Sequence, residues 1–353
     1  MASLTKVLAT TTTAMLLYDQ GLLDLDRKLS DPSMLGPGFA NHGKQEITVR
    51  NLMLHNAGYP PDPVPGYETP AFGCPDTSRY HPRLTFSCMP KIYSSVLVQT
   101  LQNPVGAVYV YSDLSMITAA LAFGRIIKDH NLIQYSDLLP ECINTLKGQP
   151  SEVTCYYEAF VNSQVARKLG MARSGFLLER SRYPSAAPTW NDTIYRHEVM
   201  QGVVSDDNAY ASGGYAGHAG FWSTTTDTYL LAKTLMFGNT YIKRSTVEMF
   251  TKIANVTQSS RALGWDTNNY QMNTYRGCAS LSPKTYTHLG YTGTENCNDP
   301  ERQLITILLT NRVYPNKTLT APLIHELRQA FNTAVQQTYD AGTYTVEIEE
   351  SVH

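Results

Sequence analysis

A serine and a lysine stand three residues apart near the start of this chain, in Ser3-Leu4-Thr5-Lys6. On a helix that spacing puts both side chains on one face, and Leu4, Val7, Leu8, Ala14, Met15, Leu16 and Leu17 predict a helix running to Gln20-Gly21. A serine hydroxyl is a weak nucleophile at neutral pH, and a lysine kept neutral by burial or by a neighbouring cation can take its proton. The first helical turn also offers unpaired N–H groups and the positive dipole end, both favourable to negative charge developing at Ser3. Taken alone, the spacing also fits a Ser3 that caps a helix beside a solvated Lys6. The rest of the chain must decide.

The chain has 353 residues, beyond the size at which one core usually keeps growing, which predicts two lobes. With 42% hydrophobic and 16% charged residues there is apolar surface for sizeable cores, and a formal charge of -2 gives no electrostatic case for nucleic acid or an anionic membrane. No apolar run reaches the roughly 18 residues of a membrane-spanning helix. Ala2 to Thr13 lacks the basic leader and clean apolar core of a signal peptide. The cysteines fall as near pairs, Cys74 and Cys88, Cys142 and Cys155, Cys278 and Cys297, a pattern that permits disulfides without fixing them. Asn191-Asp192-Thr193, Asn255-Val256-Thr257 and Asn316-Lys317-Thr318 are glycosylation acceptors if the chain is secreted. Localisation stays open between these hints and the missing leader.

Along the chain, Ile47 to His55 predicts a short helix capped by Thr48, and residues 60–90, dense in proline, predict a long irregular insertion that is either functional or a surface cover. Tyr111 lies just before a helix at Leu114 to Ile127, capped by Ser112 or Asp113. Another helix is expected at Ser163 to Leu169, then a glycine-rich turn region at 202–220 and a helix capped by Thr224 or Thr226. Thr285 to Cys297 and Leu304 to Asn311 read as neighbouring strands joined through Asp299-Pro300-Glu301, the second apolar enough for a buried strand. Leu319 to Tyr339 reads as an amphipathic helix. The class is α+β: a nucleophile helix at 1–20 on the domain interface, a mainly helical domain at 21–200 and a sheet-containing α/β part at 201–353.

Ala2-Ser3-Leu4-Thr5-Lys6, Tyr111-Ser112-Asp113, Gly217-His218-Ala219-Gly220-Phe221-Trp222-Ser223-Thr224 and His288-Leu289-Gly290-Tyr291-Thr292-Gly293-Thr294 follow one another in a telling order. Their order and spacing resemble the β-lactamase-related serine hydrolases, a group that includes class C β-lactamases, DD-peptidases and esterases. With Asp299-Pro300-Glu301-Arg302 and Leu309-Thr310-Asn311-Arg312-Val313-Tyr314-Pro315 the likeness is strongest to penicillin-binding-protein-4-like hydrolases, over most of the chain apart from 60–90. The resemblance implies a β-lactamase/transpeptidase-like fold, an antiparallel sheet flanked by helices with a helical domain beside it.

The resemblance also implies roles. Ser3 is acylated, Lys6 and Tyr111 share proton transfer, and the N–H groups of Ser3 and Tyr291 form the oxyanion hole. Asp113 stands where much of the wider family has Asn; an ionised carboxylate only accepts hydrogen bonds, which favours ester substrates over amides. His288 replaces the Lys of a Lys-Thr-Gly motif and, on a strand edge, is expected to hold a substrate carboxylate or support Tyr111, with an inflection in activity near its ordinary pKa of about 6.5. Gly290 is expected to let substrate lie close to that strand. His55 and His218 read as packing residues. No metal spacing and no cofactor motif is present, so the expected partner is a small-molecule substrate, with oligomeric state open. DD-peptidase or true β-lactamase activity, and a non-catalytic scaffold keeping the fold, are the alternatives. Family members carry a helix and two strands ahead of the serine motif; the expectation is an N-terminally truncated chain with an unpaired sheet edge beside 285–311.

Overall fold

The computed structural model of the chain describes residues 1–74, 86–269, 277–316 and 321–342. The first segment is wound in three ways, as a 3-10 turn at Ala2–Leu4, a π-helix at Lys6–Thr11 and then α1 (Thr12–Asp19). The sequence predicted one regular helix; wide π turns are frequent at functional sites because they re-aim side chains. Residues 4–17 are all buried, so this segment has no solvent face. Two of its threonines find internal partners: Thr10 Oγ1 donates to the Gly217 carbonyl at 2.6 Å and lies 2.7 Å from the Tyr157 hydroxyl, and Thr12 Oγ1 donates to the Val7 carbonyl at 2.9 Å.

Helices follow as α2 (Val49–Met53), α3 (Met89–Val98), α4 (Asp113–Asp129), α5 (Pro140–Leu146), α6 (Val153–Phe160), α7 (Asp207–Ala211), α8 (Thr225–Phe237), α9 (Arg244–Thr251) and α10 (Ala321–Asp340). Thr48, Ser112 and Thr224 cap α2, α4 and α8 as their residue types predict. The helix expected at 163–169 is a π-helical continuation of α6, Val161–Arg167. α4 packs along α6, and the segment around Gly217 presses onto α4. A Cβ at Gly217 would stand 2.0 Å from the Met116 carbonyl oxygen, so only glycine permits that approach.

Short pairs β1 (Gly175–Phe176) with β4 (Phe221–Trp222), and β2 (Asn191–Asp192) with β3 (Glu198–Val199), accompany the main sheet. That sheet is antiparallel in the order β5 (Asp266–Thr267), β6 (Tyr286–Leu289), β7 (Thr294–Asp299), β8 (Leu304–Leu309). The stretch 285–297, expected as one strand, is therefore a hairpin turning at 290–293. The expected burial is also inverted. Apolar β8 is mostly half-buried and, among the described residues, pairs on one side only, whereas polar β7 is wholly buried. Internal bonds make that possible: Asn298 donates to Asn296 Oδ1 at 2.6 Å, Asn332 donates to Glu295 Oε2 at 2.9 Å, and Asp299 accepts from Ser282 Oγ at 2.7 Å.

The cysteines join as Cys74–Cys88, Cys142–Cys155 and Cys278–Cys297, each with its near neighbour in sequence. Of the irregular region at 60–90, residues 60–74 carry no helix or strand, 86–88 form a 3-10 turn leading into α3, and 75–85 lie outside the described residues. The first residues of this region brace the start of α4. Ser112 Oγ donates to the Pro60 carbonyl and the Asp113 N–H to the Pro61 carbonyl, both at 2.7 Å. Ser112 Oγ also accepts the Ser115 N–H at 3.2 Å. Ser112→Ala loses the cap and the brace together and should cost about 1–2 kcal/mol in urea unfolding. An unchanged midpoint would show that the start of α4 is held by something else.

Candidate active site

Lys6 is the hub. Its Nζ donates to Ser3 Oγ at 2.8 Å and to the His218 carbonyl at 3.3 Å, lies 2.6 Å from Asp113 Oδ1 and sits 4.8 Å from the centre of the Tyr111 ring. Four residues from three stretches of sequence, around positions 3, 111–113 and 218, thus meet at one nitrogen. The side chain is fully buried. Burial lowers its pKa, but the Asp113 carboxylate and then Tyr111 outweigh it, and the net direction is upward. Lys6 is therefore an ammonium and a donor to Ser3 Oγ, which corrects the expectation of a neutral amine. Asp113 opens α4, where the helix N-terminus favours a carboxylate.

Tyr111 lies two residues ahead of α4 and is ringed by other groups. Ring centres of His55 and His288 stand 4.9 Å and 6.0 Å away, and the Arg261 guanidinium carbon is 5.0 Å from the Tyr111 ring centre. His55 Nδ1 accepts the Ser112 N–H at 3.1 Å, so its proton is on Nε2. His288 Nδ1 lies 2.8 Å from the Leu289 carbonyl, which can only accept, so its proton is on Nδ1 and Nε2 presents a lone pair. Both imidazoles are held well below 6.5, first by burial and then by the charges of Arg261 and Lys6. They are neutral. His288 is buried in β6, paired to Asn296 of β7 and, among the described residues, not to β5, whose pairing stops at Thr287.

His218, expected to be packing, belongs to the site through its carbonyl, and its ring reaches Asp206 Oδ1 at 2.8 Å. Burial opposes the charge on His218, but Asp206 and Asp113 raise its pKa. Burial likewise opposes ionisation of Asp206, yet the charge and hydrogen bond of His218 hold its carboxyl well below the usual range. Asp206 also caps α7. A cap position ahead of a short helix was the only sequence signal for it. Donor atoms of Asp113, Asp206 and His218 lie within 4.8 Å of one another, the reach of a metal site. The cation facing them is already supplied by the Lys6 ammonium, and the His218 Nε2 is engaged by Asp206, so these residues fit a charge network better than an ion. Cys278, Glu295 and Cys297 also converge, but both sulfurs are in a disulfide.

Gly290 and Tyr291 occupy the β6–β7 turn, against which the Ser3 turn packs. A Cβ at Gly290 would meet Thr294 Oγ1 at 2.0 Å and the Met1 carbonyl at 2.8 Å. Close packing of the chain on itself already requires a glycine here. Thr294 Oγ1 ties the two segments by donating to the Met1 carbonyl at 3.0 Å. Tyr291 is exposed and stacks under the Arg312 guanidinium, 4.3 Å from its ring centre. Arg261, Asp206 and the supporting role of His55 were not legible as site features, because each acts through tertiary contacts.

A family model described as Beta-lactamase matches residues 1–329. A provisionally named D-alanyl-D-alanine carboxypeptidase of Escherichia coli K12 is 26% identical over 344 residues, covering 88% of this chain and 68% of its own length. Among solved structures, EstCE1, a hydrolase with promiscuous acyltransferase activity, superposes with a TM-score of 0.61 at 20% identity, covering 93% of this chain and 84% of that one. A class C β-lactamase from Rhodobacter sphaeroides gives 0.61 at 14% identity, with 96% and 84% covered. These likenesses bear out the expected α+β, β-lactamase/transpeptidase-like fold.

The histidine chemistry yields a signed prediction. A folded pKa held below 6.5 means that the unfolded chain binds the extra proton, so the contribution of His288 to stability is present above 6.5 and is lost as pH falls towards the folded value. His288→Asn should therefore flatten the acid side of the stability profile relative to wild type, and should remove no step in activity near 6.5. A wild-type step there that vanishes in the variant would restore the titrating role.

Proposed function

Since the chain belongs to the β-lactamase family and is a serine hydrolase, we propose that it turns over its substrate through an acyl-enzyme at Ser3 and that its reaction is ester hydrolysis. The observation that carries this reading is the 2.8 Å bond from Lys6 Nζ to Ser3 Oγ, with Asp113 Oδ1 2.6 Å behind it. An ammonium cannot take the serine proton. Lys6 instead stabilises negative charge on Oγ, and the proton passes to Tyr111 Oη as the base. Oγ then adds to the ester carbonyl, whose oxyanion is received by the N–H groups of Ser3 and Tyr291. The carbon–oxygen bond breaks, the alkoxide takes the proton from Tyr111, and water entering by the same relay releases the acid and restores Ser3.

Asp113 supports esters over amides. Its carboxylate is committed to Lys6 and has no proton with which to hold a substrate amide carbonyl. The name of the Escherichia coli relative favours a second reading, a DD-peptidase, which would have to recognise its peptide without a donor at position 113. The intact Ser3, Lys6 and Tyr111 set argues against a non-catalytic scaffold. No described helix is long and apolar enough to cross a membrane.

Ser3→Ala should abolish p-nitrophenyl butyrate hydrolysis and labelling by a fluorophosphonate, and Lys6→Ala should lose on the order of 100-fold or more in kcat. Turnover retained by homogeneous Ser3→Ala protein would overturn the mechanism. Faster hydrolysis of a D-alanyl-D-alanine peptide than of the ester would favour the second reading.

A further inference from the structure

Among the groups packed around Tyr111, the neutral imidazoles of His55 and His288 carry no charge, which leaves Lys6 and Arg261 as the cations facing the ring. They are not equivalent. Lys6 is compensated by Asp113 at 2.6 Å. The carboxylate paired with Arg261 is Asp266, at 3.5 Å, and one oxygen of Asp266 is occupied by Ser260 Oγ at 2.5 Å and the Thr267 N–H at 2.8 Å. Arg261 is buried; its Nε donates to the Tyr109 hydroxyl at 3.0 Å, and its Nη1 has no hydrogen-bond partner among the described residues. A buried guanidinium in loose compensation beside a phenol is an electrostatic device in search of a negative charge.

We propose that Arg261 is a positioning residue for the Tyr111 proton relay: its guanidinium, 5.0 Å from the ring centre, holds the charge that appears on Tyr111 when the phenol gives up its proton. This rests on the acyl-enzyme reading above, with Tyr111 as the base. In the cycle Tyr111 Oη takes the Ser3 proton during attack and gives it to the leaving alkoxide; Arg261 gains and loses none, because a guanidinium does not deprotonate in a protein. Tyr109 fixes the direction of the guanidinium and Asp266 tempers its charge. Lys6 faces Tyr111 as well, but its charge is shared with Ser3 Oγ and the Asp113 carboxylate, whereas the guanidinium of Arg261 has only the more distant Asp266 against it.

The test is the pH dependence of kcat/KM for p-nitrophenyl butyrate in wild type, Arg261→Met, Arg261→Lys and Asp266→Asn, with folding checked by circular dichroism. Removing a nearby cation raises the pH at which Tyr111 ionises, so the acid limb of Arg261→Met should move up by about one pH unit or more, and Arg261→Lys should recover most of it. Asp266→Asn leaves the guanidinium less compensated and should move the limb down. An ultraviolet titration of tyrosinate, taken as wild type minus Tyr111→Phe, should show the same shifts without turnover. A folded Arg261→Met with an unmoved limb would overturn the proposal, as would an Asp266→Asn limb that moves up. If Arg261→Met does not fold, the sign of the Asp266→Asn shift decides. Failure of the acyl-enzyme reading looks different, because fluorophosphonate labelling of Ser3 would then be absent in wild type.

Discussion

A fully buried ammonium needs a carboxylate, and the contact between Lys6 Nζ and Asp113 Oδ1 satisfies that need. Much of the surrounding structure is what it takes to bring these two side chains together. Lys6 comes from a π-wound turn with no exposed face, and Asp113 from the first residue of a helix whose cap is tied to residues 60 and 61. Ser112 links the two sides: its hydroxyl caps α4 and its N–H is accepted by His55, which in turn packs on Tyr111. Breaking a buried pair by deleting one partner commonly costs about 3–5 kcal/mol, far more than a surface pair would. Position 113 is thus bound to stability and chemistry at once.

The pair also redistributes labour within the site. A neutral lysine beside serine would act as base; an ammonium clamps Oγ and leaves proton transfer to the phenol. The buried imidazoles then serve by being uncharged, since a further positive charge beside Lys6 and Arg261 would be repelled. His218 balances Asp206 outside this set, so charges alternate rather than accumulate.

How much of this was legible depends on the range of each interaction. Ser3 with Lys6, the caps Thr48, Ser112 and Thr224, the position of Tyr111 before a helix, and cysteines joined to near neighbours are local patterns, and local sterics and hydrogen bonding set them. The protonation of Lys6 was misread because burial was weighed without its partner, 107 positions away in sequence and 2.6 Å away in space. β7 and β8 were ranked by polarity, yet cross-strand and helix contacts satisfy the polar β7 in the interior. Helices α3, α5, α6, α7 and α9 were missed, being elements of five to ten residues in which a helical period has few turns to register. The π winding of 6–11 leaves no compositional mark.

The charge state of Lys6 decides the account most directly, and nitrogen-15 NMR of lysine side chains, with the Lys6 signal assigned by its loss in Lys6→Arg, reads it without turnover. The account predicts an ammonium signal that persists beyond the ordinary lysine value of 10.5 and that moves to lower pH in Asp113→Asn. A Lys6 signal that titrates near neutral pH in the wild-type protein would contradict it, and would return the role of base to the amine.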